Sequence, residues 1–510
     1  IIIEGKSENP VYLRIEDGKA EIRDARHLWG KTTGECQELI QKELEDRNVR
    51  VAQIGIAGEN QVRYACVVND LNHAAGRTGM GAVMGSKKLK AIAVRGHQKI
   101  ALSDTGTVNS LAKWVRDNFK ANKTTAGLSE SGTAGGLTGL STTGGLPTRN
   151  FQQGMFNGAD KISGAAINEN ILVGRGGCYA CPIRCKPKVA VGEPYNVDPI
   201  YGGPEYETLA SLGSNCGIDN LEAIAKGNEL CGAYGLDTIS TGASIAFAME
   251  CFEHGILTEK DTDGLKLYFG NVQAMVQLIA MIAKRKGIGE VLADGVTRAA
   301  RVFGRGAEAF ALHIKGQELP MHEPRFKPGM GVGYTVSPTG ADHCHNMHDS
   351  LYVKQVAGEL KALGIFEPLP CQDLSSAKVR MLVYGSLWRH ALNCLVLCYF
   401  IPLSTRQIIN LVESITGWEL SLWELMKVGE RCVAMTRAFN IREGMTKADD
   451  YLPHRFFTPF TSGPLEGISV DKGDLDRAID TYYAMIGWDK KGVPTLAKLQ
   501  ELGIEWVAKA

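Results

Sequence analysis

This 510-residue sequence lacks several features, and each absence argues against a class of protein. No apolar run approaches the roughly 20 residues that cross a bilayer, so no membrane span is predicted. Basic and acidic residues both number 56, and the resulting net charge of zero argues against nucleic acid or a polybasic membrane surface as a partner. No charged segment precedes an apolar one at the start, so no signal peptide is visible.

The sequence also lacks an initial methionine and opens on three isoleucines. Such a run is typical of the middle of a strand, and we therefore expect that the N-terminal part of a longer protein is missing. The 13 cysteines are odd in number and mostly scattered, which argues against a disulfide framework. We expect a reducing, cytoplasmic compartment and a metal site.

One group of cysteines is not scattered. Cys178, Cys181 and Cys185 follow a C-x2-C-x3-C spacing directly after the flanking glycines Gly176 and Gly177. Three thiolates are one ligand short of a tetrahedral set, so a fourth is expected from elsewhere. We interpret the group as part of a [4Fe–4S] site, with zinc as the alternative. Cys394 and Cys398, in an apolar segment, are either core cysteines or the source of the missing sulfur.

Apolar and polar residues alternate within residues 1–100, which predicts a β-rich region, with a turn at Asp17-Gly18. The predicted strands are residues 11–15, 20–23, 51–56 and 89–94, with a further turn at residues 58–60. Residues 74–88 read as a glycine-rich loop with two lysines, which suits a phosphate. The loop matches neither a Rossmann nor a Walker pattern, and a plain tight turn is the alternative.

Helical periodicity dominates from residue 101 onward, most clearly at residues 221–234 and 272–285. Residues 124–150 are rich in glycine, threonine and serine and are expected to form a loop. We divide the chain into a partial β-rich domain (1–100), a helical domain with the three cysteines (101–310), and a helical C-terminal domain with the histidines (311–510).

The histidines concentrate in residues 342–349, which contain three histidines and two aspartates. Such a segment could bind a metal. The spacing is incomplete for a ligand set, which favours a polar loop with one functional histidine.

In combination, these motifs resemble the aldehyde ferredoxin oxidoreductases, a family of tungsten enzymes. The matches are the cysteine group and residues 74–87, 203–207 and 235–240, in the family's order along nearly the whole chain. The resemblance implies a tungsten (or molybdenum) bis-pterin centre, a magnesium ion bridging the pterin phosphates, and a [4Fe–4S] cluster nearby. It implies an α+β architecture, in which an N-terminal β-layered pterin-binding domain, partial here, precedes two mainly α-helical domains.

The resemblance also assigns individual residues. Cys398 matches the fourth cluster ligand, which leaves Cys394 as a core or spare thiol. Glu207 and His343 match the active-site glutamate and histidine, as general base and as hydrogen-bond donor. The residues that match the cofactor-binding positions are His73, Ala74, Arg77, Leu236, Asp237, Asn393 and Leu397.

Several positions depart from the family pattern. Gly232 and Asn393 replace the first acidic residue of each pterin motif, and His73 stands where the pattern has arginine. Some members of the family bind a bridging iron at a dimer interface through an E-x-x-H motif. The corresponding residues 226–229 are Lys-Gly-Asn-Glu here, so a bridging iron is not expected. The loss of two pterin carboxylates leaves the scaffold, and the resemblance does not imply the exact substrate or redox tuning.

We therefore expect an enzyme that oxidises an aldehyde to a carboxylic acid and passes the electrons singly through the cluster. The expected partners are ferredoxin or a similar electron carrier, a small aldehyde, and further copies of the chain in an oligomer. One alternative is the tungsten subunit of an aromatic-ring (benzoyl-CoA type) reductase. The other is a non-catalytic Fe–S or zinc scaffold subunit, which metal analysis would distinguish.

Overall fold

The computed structural model describes residues 1–508, which form an N-terminal mixed sheet followed by a mainly helical remainder. This arrangement confirms the α+β prediction. Within residues 1–508, every helix is either too short or too polar to traverse a bilayer.

The N-terminal sheet has six strands in the order β2-β1-β6-β3-β4-β5. They are β1 (Val11–Glu16), β2 (Lys19–Asp24), β3 (Arg50–Gln53), β4 (Val67–Asn69), β5 (His73–Ala75) and β6 (Leu89–Arg95). Only the β1–β6 pair is parallel. The predicted hairpin turn is confirmed, with Asp17 and Gly18 at φ 47° and 85°. One face of the sheet buries Tyr12 and Ala91 against α1 (Thr33–Glu43).

Two N-terminal predictions are wrong in part. The predicted turn at residues 58–60 overlaps a short helix, α2 (Ile56–Glu59). The predicted glycine-rich loop includes the end of β5 and all of α3 (Met80–Ser86). The glycines serve packing, because a Cβ at Gly85 would lie 1.8 Å from the Gly58 carbonyl oxygen. Small residues here let the backbones of α2 and α3 approach closely.

The middle of the chain is helical. Its helices are α4 (Thr105–Asn118), α5 (Lys123–Ser131), α6 (Leu137–Thr142), α7 (Gly164–Asn170), α8 (Tyr206–Thr208), α9 (Leu221–Tyr234), α10 (Thr238–Glu253), α11 (Val272–Ala283), α12 (Ile288–Leu292) and α13 (Val296–Phe303). α9 and α11 confirm the two helices predicted from periodicity. The short hairpin β7 (Leu172–Gly176) and β8 (Lys186–Val189) carries the three-cysteine group in its connecting loop.

The loop predicted at residues 124–150 is wrong for residues 124–142, which form α5, a 3₁₀ turn and α6. The side chain of Asn122 accepts hydrogen bonds from the Thr124 and Thr125 N–H groups, which caps α5. Leu128 and Leu137 are buried. Capping and burial together outweigh the low helix propensity of the glycines and threonines.

The last part contains the two-residue pair β9 (His313–Ile314) and β10 (Gln317–Glu318), and more helices. They are α14 (Pro328–Val336), α15 (Gly358–Ala362), α16 (Ser376–Cys394), α17 (Thr405–Thr416), α18 (Leu422–Arg442), α19 (Lys472–Ile486) and α20 (Leu496–Glu501). A continuous hydrophobic core extends from Ala57 to Trp488. Within this core α8 packs against α10, and α14 packs against α16 and α19.

Candidate functional site

Glu207 lies in the first turn of α8, which continues directly into a π-helical turn at Leu209–Gly213. Such turns occur frequently at functional sites. The Oε2 atom of Glu207 accepts a hydrogen bond of 2.8 Å from the Met321 N–H. Its Oε1 atom is buried and has no hydrogen-bond partner. One carboxylate oxygen is therefore held by the backbone and the other is available for chemistry.

Two histidines face this free oxygen. The Nε2 atom of His322 lies 3.1 Å from Oε1 of Glu207, and that of His343 lies 3.7 Å from it. Ligand atoms of the three residues lie within 4.8 Å of one another, a spacing that could also hold a metal ion. The structure thus brings together the predicted pair Glu207 and His343 and adds His322.

The two histidines differ in charge. Burial acts to lower the pKa of His343, but the charges of Cys344, Glu207 and Asp342 outweigh it and raise that pKa to about 10. Burial lowers the pKa of His322 well below its ordinary value. At neutral pH the carboxylate therefore lies between an imidazolium and a neutral imidazole.

Lys327 lies behind His322, immediately before α14. Its Nζ is 3.1 Å from Nδ1 of His322 and 3.5 Å from Nδ1 of His348. Burial lowers the pKa of Lys327 to about 8, although the Asp349 carboxylate opposes this shift. The lysine side chain is 2% exposed, so these contacts are shielded from water.

His322, Lys327 and His348 have no individual function predicted from the sequence. The available signal was weak: a histidine and a lysine precede the histidine-rich segment by fewer than thirty residues. Their relation to Glu207 arises only in the fold, where the Met321 N–H binds the carboxylate and aligns the next residue with it.

The four predicted cluster cysteines converge. Burial raises the pKa of the Cys185 thiol to about 11, and the nearby charges of Cys398 and Cys181 act in the same direction. The pKa of Cys398 is raised by the loss of water around its sulfur and by the charges of Cys178 and Cys181. A raised pKa disfavours the thiolate, which is the form that binds a cluster. The positive charge of bound iron would stabilise the thiolate form of these cysteines.

A small hydrophobic group holds the two cysteine segments together. Cys181 and Cys185 pack beside Phe400, two residues beyond Cys398, against Phe119 and Leu128. This contact explains how the hairpin loop and a segment some two hundred residues later meet at one place.

Cys394 is the last residue of α16, four residues before Cys398, and has a different neighbour. It interacts with Cys432 of α18, whose pKa is raised to about 11 by burial and by Cys394. The Cys432 Sγ is also 3.8 Å from Nδ1 of His390. Cys394 thus faces α18, as expected for a thiol outside the cluster set.

Arg77 and Asp237, two of the predicted cofactor-binding residues, form a salt bridge of 3.3 Å. Asp237 also caps α10. The Arg77 guanidinium donates to the carbonyl oxygens of Glu318, at 2.6 Å, and Ala341, at 2.7 Å. Arg77 therefore ties the N-terminal region to the segment that carries His343.

The remaining predicted cofactor-binding residues occupy three places. His73 and Ala74 lie on β5, the outer strand of the sheet, and the Nε2 atom of His73 is buried without a hydrogen-bond partner. Leu236 is buried beside Asp237 and bridges to Ala65. Asn393 immediately precedes Cys394, and Leu397 immediately precedes Cys398. An outer strand and an unpaired ring nitrogen fit a polar cofactor, because both leave hydrogen-bonding groups available.

Comparisons with known proteins agree with one another. The family model described as aldehyde ferredoxin oxidoreductase, domains 2 and 3, matches residues 110–504, and the model of the N-terminal domain matches residues 1–96. The expectation that the N-terminal part of this domain is missing is therefore wrong.

Two relatives and one solved structure illustrate the range of similar proteins. The tungsten-containing aldehyde ferredoxin oxidoreductase of Pyrococcus horikoshii is 37% identical, over 99% of this chain and 82% of that protein. An aliphatic sulfonate oxidoreductase, WOR-like subunit, of Pyrococcus furiosus is 31% identical, over 99% of this chain and 80% of that protein. The active-site complex BamBC of benzoyl coenzyme A reductase, solved with 1,5-dienoyl-CoA, has a TM-score of 0.80 and 26% identity, over 99% of this chain and 81% of that chain.

Proposed function

The chain belongs to the aldehyde ferredoxin oxidoreductase family, and on this basis we propose that it oxidises an aldehyde to a carboxylic acid, with Glu207 and His343 as catalytic residues. The reaction adds water to the aldehyde and releases two electrons and two protons. When bound, a tungsten (or molybdenum) bis-pterin group supplies the two-electron acceptor. The observation that carries the proposal is the free Oε1 atom of Glu207 between two histidines.

Glu207 acts as the general base. Its Oε2 atom is fixed by the Met321 N–H, which leaves Oε1 to take a proton from water as the water adds to the carbonyl carbon. Because the carboxylate is oriented before substrate binds, little reorganisation accompanies the transfer.

His343 acts as the hydrogen-bond donor. Its raised pKa, about 10, keeps the ring protonated at neutral pH. A cationic N–H beside the base stabilises the negative charge that develops on the carbonyl oxygen.

The four cysteines Cys178, Cys181, Cys185 and Cys398 would hold a [4Fe–4S] cluster. The electrons would leave singly to ferredoxin or a ferredoxin-like subunit. His73, Ala74, Arg77 and the segments around Asp237 and Leu397 would hold the pterins, with the Ala74 carbonyl at the magnesium ion. We also propose a cytoplasmic, oligomeric enzyme, and the free state of the 13 cysteines supports a reducing compartment.

Replacing Glu207 with glutamine tests the proposal. The amide keeps the size of the side chain but cannot take a proton, so kcat should fall by ~10²-fold or more, while metal and pterin contents stay unchanged. The measurements are anaerobic metal and pterin analysis and aldehyde oxidation with a viologen acceptor. Glu222→Gln is the matched control, since Glu222 is an exposed glutamate in the first turn of α9. Retained turnover in Glu207→Gln would remove Glu207 from this role.

A second candidate function is favoured by the similarity to BamBC of benzoyl coenzyme A reductase. In this case the chain would act on an aromatic-ring thioester of coenzyme A. Incubation with 1,5-dienoyl-CoA and an oxidised viologen distinguishes the two: dye reduction with this thioester, and none with aldehydes, would favour the second candidate. Zinc without a pterin would instead indicate a scaffold subunit.

A further inference from the structure

We propose that Lys327 is a positioning residue that fixes the tautomer of His322, so that His322 presents an N–H to Glu207. The proposal deepens the proposed function, because the carboxylate concerned is the one that acts as the general base there. Lys327 is a buried cation that has no other role in the proposed reaction.

The first step rests on the contacts of the lysine. An ammonium group has three donors and no acceptor. Since Nζ of Lys327 lies 3.1 Å from Nδ1 of His322 and 3.5 Å from Nδ1 of His348, both ring nitrogens must accept. A neutral imidazole that accepts at Nδ1 carries its proton at Nε2.

The second step concerns the direction of that N–H. The Nε2 atom of His322 lies 3.1 Å from the free Oε1 atom of Glu207. The ring is stacked on Tyr206 at a centroid distance of 5.2 Å, and His348 packs edge-on against it at 4.7 Å. These contacts limit rotation of the ring, and a small rotation of the carboxylate completes the bond, as is common when substrate binds.

The third step is the consequence for proton transfer. A histidine whose Nδ1 is occupied by a donor and whose Nε2 already carries a proton cannot receive the proton that Glu207 takes up. His343 already carries its proton and cannot receive a second one, so the proton must leave Glu207 through water. A metal ion shared by Glu207, His322 and His343 would need an unprotonated Nε2 on His322, so the fixed tautomer also opposes a metal ion there.

Neutron diffraction from crystals of the perdeuterated holoenzyme at neutral pH reads the tautomer directly. We expect deuterium on Nε2 of His322, none on Nδ1, and three deuterons on Nζ of Lys327. Deuterium on Nδ1 of His322, or a metal ion between the three side chains, would overturn the proposal. This readout needs no turnover, so it remains decisive if the enzyme fails to oxidise aldehydes.

A double-mutant cycle tests the same relation kinetically. Lys327→Met should lower kcat about 10-fold and change KM by less than about 2-fold, because one oriented hydrogen bond to the base is lost. His322→Gln supplies an amide N–H that has no tautomer, so in that background Lys327→Met should lower kcat by less than about 2-fold further. Equal losses of kcat in both backgrounds would indicate a purely structural lysine and contradict the proposal.

Lys378 provides the matched control for the cycle. It is a buried lysine on α16 that binds Asp349 at 3.1 Å and makes no hydrogen bond to a histidine. Lys378→Met should change kcat by the same factor with and without His322→Gln. A dependence on His322 as strong as that of Lys327 would show that the coupling is not specific.

Discussion

Two imidazoles of different charge beside one carboxylate define the chemistry at the scale of single residues. His343 keeps its proton and His322 stays neutral, although both rings are within 3.7 Å of Oε1 of Glu207. Environments that separate the pKa values of neighbouring groups assign them different roles in acid–base chemistry. Here they assign proton uptake to Glu207 and donation to His343.

The charge of His343 predicts how activity depends on pH. Its pKa is raised from 6.5 to about 10, so the cation is present at lower pH and is lost as pH rises through about 10. We expect kcat/KM to decline partly near pH 8, as Lys327 loses its proton, and fully near pH 10. In His343→Gln, kcat/KM should be ~10²-fold lower and the second decline absent.

Initial rates across this pH range, with stability checked at each pH, provide the measurement. His254→Gln is the control, because His254 lies at the end of α10 and stacks on Phe310, away from the carboxylate. An unchanged decline near pH 10 in His343→Gln would show that another group causes it.

Residue types and their spacing alone predict only part of this site. The cysteine spacing pointed to a thiolate metal site, but Glu207 and His343 were assigned by family resemblance alone. Without it, Glu207 is an ordinary carboxylate at a helix start and His343 one histidine in a polar loop. Lys327 was not assigned a role because its effect depends on contacts with two histidines that only the folded chain brings together.

Secondary-structure elements were predicted best where one periodicity dominates. β1, β2, β6, α9 and α11 follow from alternation or helical spacing of apolar residues. The glycine-rich composition of the segments around α3 and α5 predicts loops. In α3, Gly85 is needed for close packing, whereas in α5 Gly127 is exposed and a Cβ there would meet nothing within 4 Å. Composition cannot distinguish these uses of glycine from a turn.

Two glycine substitutions test this explanation of the elements. Gly85→Ala places a Cβ 1.8 Å from the Gly58 carbonyl oxygen and should destabilise the protein by about 1–3 kcal/mol, because α3 must move away from α2. Gly127→Ala, in α5, meets nothing within 4 Å and should be neutral or stabilising by up to ~1 kcal/mol. Thermal unfolding midpoints of the two variants give the comparison, and similar effects of both would contradict the packing role of Gly85.

At the scale of the whole molecule, the fold joins segments that are far apart in sequence. The hairpin loop carrying Cys178 meets the segment of Cys398, and Arg77 connects the N-terminal region to the segment of His343. The resemblance predicted the first of these meetings. The contacts of Arg77 with backbone carbonyl oxygens could not be predicted from the sequence, because every residue type carries the same main-chain acceptor.

Iron content tests the convergence of the cysteines. Cys398→Ser should lose cluster iron, because a neutral hydroxyl is a poor replacement for a thiolate ligand. Cys394→Ser should retain it, since Cys394 faces Cys432 instead. Iron and acid-labile sulfide are measured per chain after anaerobic purification. The opposite result would exchange the roles of the two cysteines.

The count of electrons released per aldehyde consumed tests the central claim most directly. The anaerobically purified protein is incubated with a panel of aliphatic, aromatic and sugar aldehydes and a one-electron viologen dye, and both carboxylate and reduced dye are quantified. Aldehyde oxidation predicts two reduced dye molecules for each carboxylate formed with at least one aldehyde, and a loss of both products in Glu207→Gln. A protein with its full metal and pterin content that forms no carboxylate from any aldehyde would contradict the account.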